Sequence, residues 1–187
     1  MKLFSRQEID FAPSENTFGL KVLREEWGDK QGNTKTYWKY GLPDGIQVLG
    51  ITSDKKIVAI EEFQPGVGVN YIHLIGGNIE KDESPEYAAK RELEEETGFS
   101  SDNFELLSCV LENTGKSNRC LWFFLARDCK KIQESETGIN VKLFTPRDFW
   151  KLLMEYFLKN PGEKHGGGNS LRTAVLAFFK MGLLAKL

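Results

Sequence analysis

The chain has 187 residues, of which 40% are hydrophobic and 28% are charged, a composition typical of one folded domain and not of a disordered chain. Its formal net charge of −2 argues against a nucleic-acid partner and against attraction to anionic membranes. No apolar run approaches the roughly 18 residues of a membrane helix, and the N-terminus lacks the apolar core of a signal peptide. We therefore expect a soluble protein without a membrane partner.

The number and spacing of the cysteines indicate the cellular compartment. Cys109, Cys120 and Cys129 are odd in number and have no metal-ligand spacing. Such cysteines are typical of reduced thiols in a cytosolic protein, so we expect a cytoplasmic location.

The predicted elements mix strands and helices along the whole chain. Apolar alternation, turn residues and helix-capping signals mark their bounds. Predicted strands cover 18–27, 34–40, 46–52, 56–63, 71–75, 104–111, 120–126 and 139–144, and predicted helices cover 84–97, 146–158 and about 170–185. This order favours an α/β (α+β) fold in which helices pack on a mixed sheet. We expect residues 1–45 to form an N-terminal antiparallel strand extension and residues 46–187 to form the main domain.

The helix over 84–97 carries an unusual set of acids. Glu92, Glu95 and Glu96 fall within an arc of roughly 100° on one face, at about 100° per residue. Like charges at this spacing weaken an isolated helix, so a cation should compensate them. Arg91 can hold Glu95 four residues on, and Mg²⁺ prefers carboxylate oxygens.

The residues before the helix favour a metal site over a solvated acidic surface. Gly76 and Gly77 let the backbone approach closely, with positive φ as one option, so that a carbonyl can join the ligands. No His or Cys lies in the cluster, which argues against zinc. A solvated face is the usual reading of a Glu-rich helix, but here the glycine turn, the helix cap and Arg91 agree on a metal site.

The stretch Gly77–Phe99 resembles the Nudix box, G-x5-E-x7-R-E-U-x-E-E-x-G-U, in which U is a bulky apolar residue. Eight positions are in register, and Phe99 is an aromatic variant at the last apolar one. The matching residues are Gly77, Glu83, Arg91, Glu92, Leu93, Glu95, Glu96 and Gly98.

The resemblance implies an α/β/α sandwich with a loop–helix–loop metal site. It would make Glu92, Glu95 and Glu96 ligands of Mg²⁺, or of Mn²⁺ in its place, with a carbonyl of Gly76 or Gly77. Arg91 and Glu83 would steady the loop by ion pairing. Metal ions at such a site neutralise a diphosphate and position the attacking water.

The residues before the box resemble those of ADP-ribose pyrophosphatases and related nucleotide-sugar hydrolases. Those proteins usually have E-L-P-A-G where this chain has His73-Leu74-Ile75-Gly76-Gly77, so the acid and the proline are absent. Members of that branch often use N-terminal strands for a homodimer and for part of the substrate pocket. Extra edge strands of the sheet are the alternative interpretation.

Three further groups are candidates for contact with substrate. Trp27 and Trp38 can stack on a base, or serve in core or dimer packing. Glu134 and Glu136 lie where that branch often places a glutamate that activates water, and an ordinary solvated loop is the alternative. Lys116 and Arg119 can reach a phosphate, or form a surface turn.

These observations predict an enzyme that hydrolyses a nucleoside diphosphate linked to another moiety. ADP-ribose or a nucleotide sugar is the favoured substrate, and the products are a nucleoside monophosphate and a sugar phosphate. Two alternatives remain open. One is a hydrolase of modified nucleoside triphosphates that releases pyrophosphate, and the other is a non-catalytic nucleotide-binding module of the same fold.

Overall fold

The computed structural model of the protein describes residues 2–9, 20–65, 68–158 and 168–184. The strands in these ranges are β1 (Lys2–Ile9), β2 (Lys21–Gly28), β3 (Thr34–Gly41), β4 (Gly45–Thr52), β5 (Ile57–Gln64), β6 (Val69–His73), β7 (Ile75–Asn78), β8 (Phe99–Ser100), β9 (Asn103–Leu111), β10 (Cys120–Lys131) and β11 (Asn140–Phe144). The helices are α1 (Pro85–Thr97), α2 (Pro146–Leu158) and α3 (Gly168–Lys180). Within the described ranges, no helix has the length and hydropathy to cross a bilayer.

The chain divides into two compact units. The N-terminal unit comprises Met1–Gly45 and Cys109–Leu121, and the core unit comprises Ile46–Ser108 and Trp122–Leu187. One boundary between the two units falls after Gly45. Nothing in the sequence indicates that 109–121, which joins β9 to β10, clusters with the N-terminal strands.

The N-terminal unit contains an antiparallel sheet in the order β1-β2-β3. Glu25, on the central strand, is opposite Arg6 of β1 and Tyr37 of β3. Opposed residues project to the same side of a sheet, and successive residues alternate between sides. The face that carries Glu25, here called the Glu25 face, therefore also carries Arg6, Trp27, Tyr37 and Lys39, whereas Trp38 lies on the opposite face.

The larger sheet follows the order β11-β5-β4-β10-β8, with β6 paired to β5, β7 to β4 and β9 to β10. Its central strands are buried on both sides, and their alternate residues enter two separate cores. Val48 of β4 packs in the core beneath α1, and its neighbour Leu49 packs in the core beneath α2 and α3. The core unit is thus a layer of helix, a mixed sheet and a second layer of helices, as predicted.

Helix α1 begins and ends at the predicted residues. The Ser84 side chain accepts a hydrogen bond from the N–H of Tyr87, and Pro85 occupies the first turn. Gly98 ends the helix in the left-handed conformation, at φ 68°, and its N–H donates to the carbonyl of Glu94. Buried Ala88, Ala89 and Leu93 hold one side of the helix against the sheet.

Some elements differ from the sequence prediction. β1 is absent from it, because the apolar residues of Lys2–Ile9 do not alternate, and this mostly exposed edge strand depends on its pairing with β2. The last predicted helix begins two residues earlier, at Gly168, and ends at Lys180. The predicted strand 120–126 continues to Lys131. Residues 18 and 19 of the first predicted strand lie outside the described residues.

We expect the substitution Gly98→Ala to destabilise the protein by more than the roughly 1–2 kcal/mol of a left-handed non-glycine residue. An added Cβ would lie 2.0 Å from the carbonyl oxygen of Gln133. Gly32 is the matched control, since it also has positive φ (86°) but has open space around the added Cβ. Urea unfolding should show the larger loss for Gly98→Ala, and equal losses would mean that the contact with Gln133 is unimportant.

Candidate functional site

The guanidinium of Arg91 is the centre of the site. It donates to both carboxylate oxygens of Glu83, from Nε at 2.9 Å and from Nη2 at 3.1 Å. Nη2 also donates to the carbonyl of Asn78 at 3.1 Å. Nη1 donates to Glu92 at 2.9 Å and to Glu95 at 3.0 Å. One side chain thus joins the loop before α1 to two acids of the helix.

Glu83 connects Arg91 to the backbone of the loop before α1. Its Oε2 accepts a hydrogen bond from the N–H of Glu80 at 2.9 Å, and its side chain is almost fully buried. The hydrogen bonds from Arg91 hold the pKa of Glu83 below its usual value despite this burial. Glu83 is therefore an ionised anchor of the loop.

Glu92 and Glu96 are carboxylates in a poorly solvated place. Burial raises the pKa of Glu92, although Arg91 opposes the shift. Burial and the neighbouring charge of Glu92 raise the pKa of Glu96 to about 9. The N–H of Gly76 donates to Glu96 Oε2 at 3.2 Å, which does not offset the burial. Positive charge is therefore deficient at these two acids, since Arg91 is shared with Glu83 and Glu95.

Glu95 stands apart from the other two acids. Its side chain is 53% exposed and contacts Arg91. In the part of the chain that the structure describes, no three His, Cys, Asp or Glu side chains already converge on a point that can hold a metal ion. The helix places the three predicted ligands on one side, but the side chain of Glu95 is turned toward Arg91.

Glycine is needed at position 77 because the Glu92 carboxylate lies too close for a Cβ, and not because the backbone has a positive φ. Neither Gly76 nor Gly77 is among the glycines with positive φ, so of the two options that the sequence left open, positive φ does not hold. A Cβ on Gly77 would lie 1.9 Å from Glu92 Oε1, and one on Gly76 would lie 3.1 Å from the carbonyl of Ile46. Both glycines lie in strand β7 and not in the predicted turn, and Gly77 leaves a space beside the Glu92 carboxylate that any side chain would fill.

The chemistry of these groups fits a hard divalent cation. Carboxylate oxygens are the ligands that Mg²⁺ takes from proteins, and a bound cation would lower the raised pKa values of Glu92 and Glu96. Glu92, Glu96 and a carbonyl of Gly76 or Gly77 would hold such an ion, with Glu95 released from Arg91 as the further ligand.

Glu134 and Glu136 both lie in the loop between β10 and β11, here called the late loop, but their surroundings differ. The N–H of Glu136 donates to the carbonyl of Glu95 at 2.9 Å, and the negative charge of Glu136 contributes to the raised pKa of Glu96. Glu134 is 98% exposed, and its charged neighbour is Lys131 at 3.9 Å. Glu136 therefore lies at the acid cluster, whereas Glu134 points to solvent.

A polar group on β5 and β6 also faces the acids and is absent from the sequence prediction. Glu62 Oε1 accepts a hydrogen bond from Gln64 at 2.7 Å and lies 3.1 Å from Nε2 of His73. The charge of Glu62 adds to the raised pKa of Glu96. Alternation of Glu62 and Gln64 along the predicted strand 56–63 and its end, ahead of Gly76 and Gly77, is the sequence signal that could have found this group.

The candidate substrate-binding residues belong to the N-terminal unit. Trp27 and Trp38 lie on opposite faces of its sheet, so their rings cannot line one pocket in a single chain. Lys116 is exposed, and its carbonyl accepts a hydrogen bond from the N–H of Tyr40. Arg119 lies 3.8 Å from Glu112 and packs beside Gly45.

Comparison with known proteins decides the family. The model of the NUDIX domain matches residues 41–162, which include both glycines of β7, the acids of α1, and Glu134 and Glu136. The chain belongs to the Nudix family of hydrolases. The resemblance of Gly77–Phe99 to the Nudix box is thereby confirmed.

Three relatives of this Nudix protein have names that state a function. An ADP-sugar pyrophosphatase of Mus musculus is 40% identical over 110 residues, covering 53% of this chain and 50% of that protein. An ADP-ribose pyrophosphatase of Bacillus subtilis (strain 168) is 30% identical over 92 residues, covering 49% and 50%. The chain thus spans about half the length of these two relatives. A methanol dehydrogenase activator of Bacillus methanolicus is 27% identical over 166 residues, covering 87% and 86%.

A solved structure shares the fold. The crystal structure of an ADP compounds hydrolase superposes with a TM-score of 0.76, covering 98% of this chain and 96% of that one at 16% identity. This agreement confirms the predicted Nudix fold.

The raised pKa of Glu96 predicts how the stability of the metal-free protein depends on pH. A folded-state pKa of about 9 against an ordinary value of 4.5 means that ionisation favours the unfolded state, so stability is lost as pH rises between these values. Glu96→Gln should remove this loss. In EDTA at pH 8.5 we expect its Tm to exceed that of the wild type by at least about 3 °C, the effect of roughly 1 kcal/mol in a domain of this size.

The half-exposed Glu95 provides the control for this measurement. Glu95→Gln should leave the pH profile of Tm close to that of the wild type, because its carboxylate stays solvated. Parallel profiles for the wild type and Glu96→Gln between pH 5 and 9 would show that Glu96 is not the titrating group.

Proposed function

We propose that this chain hydrolyses the phosphoanhydride bond of a nucleoside diphosphate linked to another moiety, with ADP-ribose or a nucleotide sugar as the substrate. The products would be a nucleoside monophosphate and a sugar phosphate. The observation that carries the proposal is the half-buried pair Glu92 and Glu96, which is short of positive charge. Arg91 joins Glu92 to the loop before α1, and the N–H of Gly76 donates to Glu96. The names of two relatives, an ADP-ribose pyrophosphatase and an ADP-sugar pyrophosphatase, support the substrate class.

Magnesium is the proposed cofactor, with manganese as a substitute, because all the protein donors are hard oxygens. A bound ion would neutralise the diphosphate and lower the pKa of coordinated water. Glu92, Glu95 and Glu96, with a carbonyl of Gly76 or Gly77, are the proposed ligands.

The protein residues around this set have separate tasks. Arg91 and Glu83 keep the loop and helix in register through their two hydrogen bonds. Glu136 is the proposed general base, since its charge already acts on Glu96 and a carboxylate near the attacking water can take its proton. Glu134, at 98% exposure, is not assigned this task.

Substrate contacts outside the acid cluster remain part of the proposal. Trp38 presents a ring that is 55% exposed, and Trp27 lines a cavity on the other face of the sheet. Because the two faces are opposite, one of these rings and not both would stack on a given base of the same chain. Lys116 and Arg119 are proposed phosphate contacts.

We further propose a cytoplasmic homodimer that acts on small nucleotides and not on nucleic acid. Large apolar side chains exposed on the N-terminal unit, namely Phe4, Leu20 and Trp38, support an interface there. All three cysteines are free thiols, which agrees with a reducing compartment. The net charge of −2 supports the absence of a nucleic-acid partner.

A second candidate function comes from the relative that aligns over 87% of this chain, which is named as an activator of methanol dehydrogenase. Adding the chain to a methanol dehydrogenase with and without Mg²⁺ tests this function. Faster alcohol oxidation would support an action on a dehydrogenase or on its nucleotide.

A substrate panel tests the main proposal. With Mg²⁺ we expect turnover of ADP-ribose or a nucleotide sugar, with a nucleoside monophosphate and a sugar phosphate as products, and no turnover in EDTA. Modified nucleoside triphosphates serve as the contrast. Pyrophosphate released from them, with ADP-ribose left intact, would select the alternative hydrolase, and no turnover of any phosphoanhydride would contradict the enzymatic proposal.

The late loop offers a matched pair of variants for the general base. Glu136→Gln should lower kcat by about 10²–10⁴-fold, the usual contribution of a positioned base, with little change in KM. Glu134→Gln removes the same charge two residues away and should leave kcat near the wild-type value. Equal effects of the two substitutions would rule out Glu136 as the base.

A further inference from the structure

The chain changes its partner strand immediately before the two glycines of the site. β6 pairs with β5 and β7 pairs with β4, whereas β4 and β5 pair with each other near the turn that joins them. Leu74 is the single residue between β6 and β7, and it is fully buried. A buried peptide group needs hydrogen-bond partners, and here side chains supply them.

Two side chains hold the backbone of Leu74. Its N–H donates to Oγ of Ser170 at 3.1 Å, and its carbonyl accepts a hydrogen bond from Nδ1 of His73 at 2.9 Å. Ser170 lies in the first turn of α3 and is 0% exposed. The contact therefore joins α3 to the connection between β6 and β7, 96 residues earlier in the chain.

A glutamine of β4 extends this connection to a third element. Gln47 donates from Nε2 to Oγ of Ser170 at 3.3 Å, and its Oε1 accepts from Oγ1 of Thr173 at 2.7 Å. Its neighbour on β4, Ile46, has a carbonyl oxygen 3.1 Å from the position that a Cβ on Gly76 would take. The N-terminal part of α3 thus links β4 to the residue that precedes β7.

The backbone of Leu74 is close in the chain to the acids of the site. Leu74 lies two residues before Gly76, about 7 Å along an extended chain. The N–H of Gly76 donates to Glu96 Oε2 at 3.2 Å, and Gly77 lies against the Glu92 carboxylate. A rotation of the Leu74 peptide would therefore move both glycines relative to α1.

The hydroxyl of Ser170 is explained by this contact and not by packing. A buried hydroxyl costs free energy unless it is hydrogen-bonded, so packing alone favours alanine at position 170. Among the described residues of α3, the buried hydroxyls of Ser170 and Thr173 lie in the first two turns, next to Leu74 and Gln47. The buried residues that follow them are apolar, namely Ala174, Ala177 and Phe178.

We propose that Ser170 is a positioning residue of the site, which holds the Leu74 peptide so that Gly76 keeps its place against Glu96. It is not a catalytic residue, since it acts through the backbone of Leu74. Its effect on catalysis rests on the proposed function, in which Glu96 and a carbonyl of Gly76 or Gly77 hold the metal ion.

Amide hydrogen exchange in EDTA, followed by NMR, tests the positioning without metal or substrate. In Ser170→Ala we expect faster exchange at Leu74, which loses its acceptor, and also at Gly76, whose hydrogen bond to Glu96 depends on the Leu74 peptide. Faster exchange at Leu74 alone would mean that Ser170 has only a structural role, and the proposal would be wrong.

Turnover of ADP-ribose tests the consequence for catalysis. Ser170→Ala should lower kcat by roughly tenfold to a hundredfold, the usual effect of removing an outer contact of a metal site, and should raise the Mg²⁺ concentration that gives half-maximal activity. KM at saturating Mg²⁺ should change little, because the proposed substrate contacts lie in the N-terminal unit. Ser170→Thr keeps the acceptor and should restore both kcat and the Mg²⁺ dependence.

Thr52→Val is the control variant. Thr52 lies at the other end of β4 from Ile46, is 7% exposed and accepts a hydrogen bond from the N–H of Lys56 at 2.9 Å. The variant also removes a buried hydroxyl that holds a backbone N–H, and it should leave the exchange at Gly76 and kcat unchanged. Equal losses in Thr52→Val and Ser170→Ala would show that lower stability is the cause and would contradict the proposal.

Two further provisions keep the outcome decisive. If Ser170→Ala does not fold, Ser170→Cys, which supplies only a weak acceptor, tests the same contact. An unchanged kcat and an unchanged exchange at Gly76 in either variant would overturn the role of Ser170. If the wild type hydrolyses no phosphoanhydride, the proposed function fails, and the exchange measurement in EDTA still tests the positioning by itself.

Discussion

The hydrogen bonds of Arg91 are the interaction on which the Nudix site depends. The guanidinium has few donors to distribute, and it gives two to Glu83, one to the Asn78 carbonyl, and Nη1 to Glu92 and Glu95. These partners tie the loop to the helix. A lysine has no planar fork for the bidentate contact with Glu83, so the loop position depends on arginine in particular. None of these hydrogen bonds goes to Glu96, whose main charged neighbours among the described residues are the acids Glu92, Glu62 and Glu136.

The pKa values of Glu83 and Glu96 are shifted in opposite directions. Both are largely removed from water, but a cation faces Glu83 and lowers its pKa, whereas Glu96 is surrounded by the charges of Glu92, Glu62 and Glu136. The first is therefore a structural anion. The second is a site that gains from a divalent ion, because such an ion replaces repulsion by attraction.

How far the sequence predicts the site depends on the range of the interactions. Spacing along α1 is local, so the common face of Glu92, Glu95 and Glu96, the partner role of Arg91 and both helix caps follow from it. The contribution of Glu62 depends on the packing of β5 near α1, which is distant in the chain, so the alternation of Glu62 and Gln64 marks a polar face of β5 without revealing that it acts on Glu96. The reason for Gly77 was also hidden, since only the packed structure shows how close the Glu92 carboxylate lies. β1 lacks apolar alternation, so the fold and not the local pattern determines it.

The late loop has two attachments to α1, and they have a consequence for how this fold changes its chemistry. The carbonyl of Gly98 accepts hydrogen bonds from the N–H groups of Ile132 and Gln133, and three residues later the N–H of Glu136 donates to the carbonyl of Glu95. Residues 134 and 135 therefore connect two points that are hydrogen-bonded to the C-terminal end of α1, one at its capping residue Gly98 and one at Glu95. Inserting or deleting a residue between Gln133 and Glu136 would move that carboxylate while leaving every box residue in place. Loop length is thus a means of altering reactivity that is independent of the metal-binding sequence.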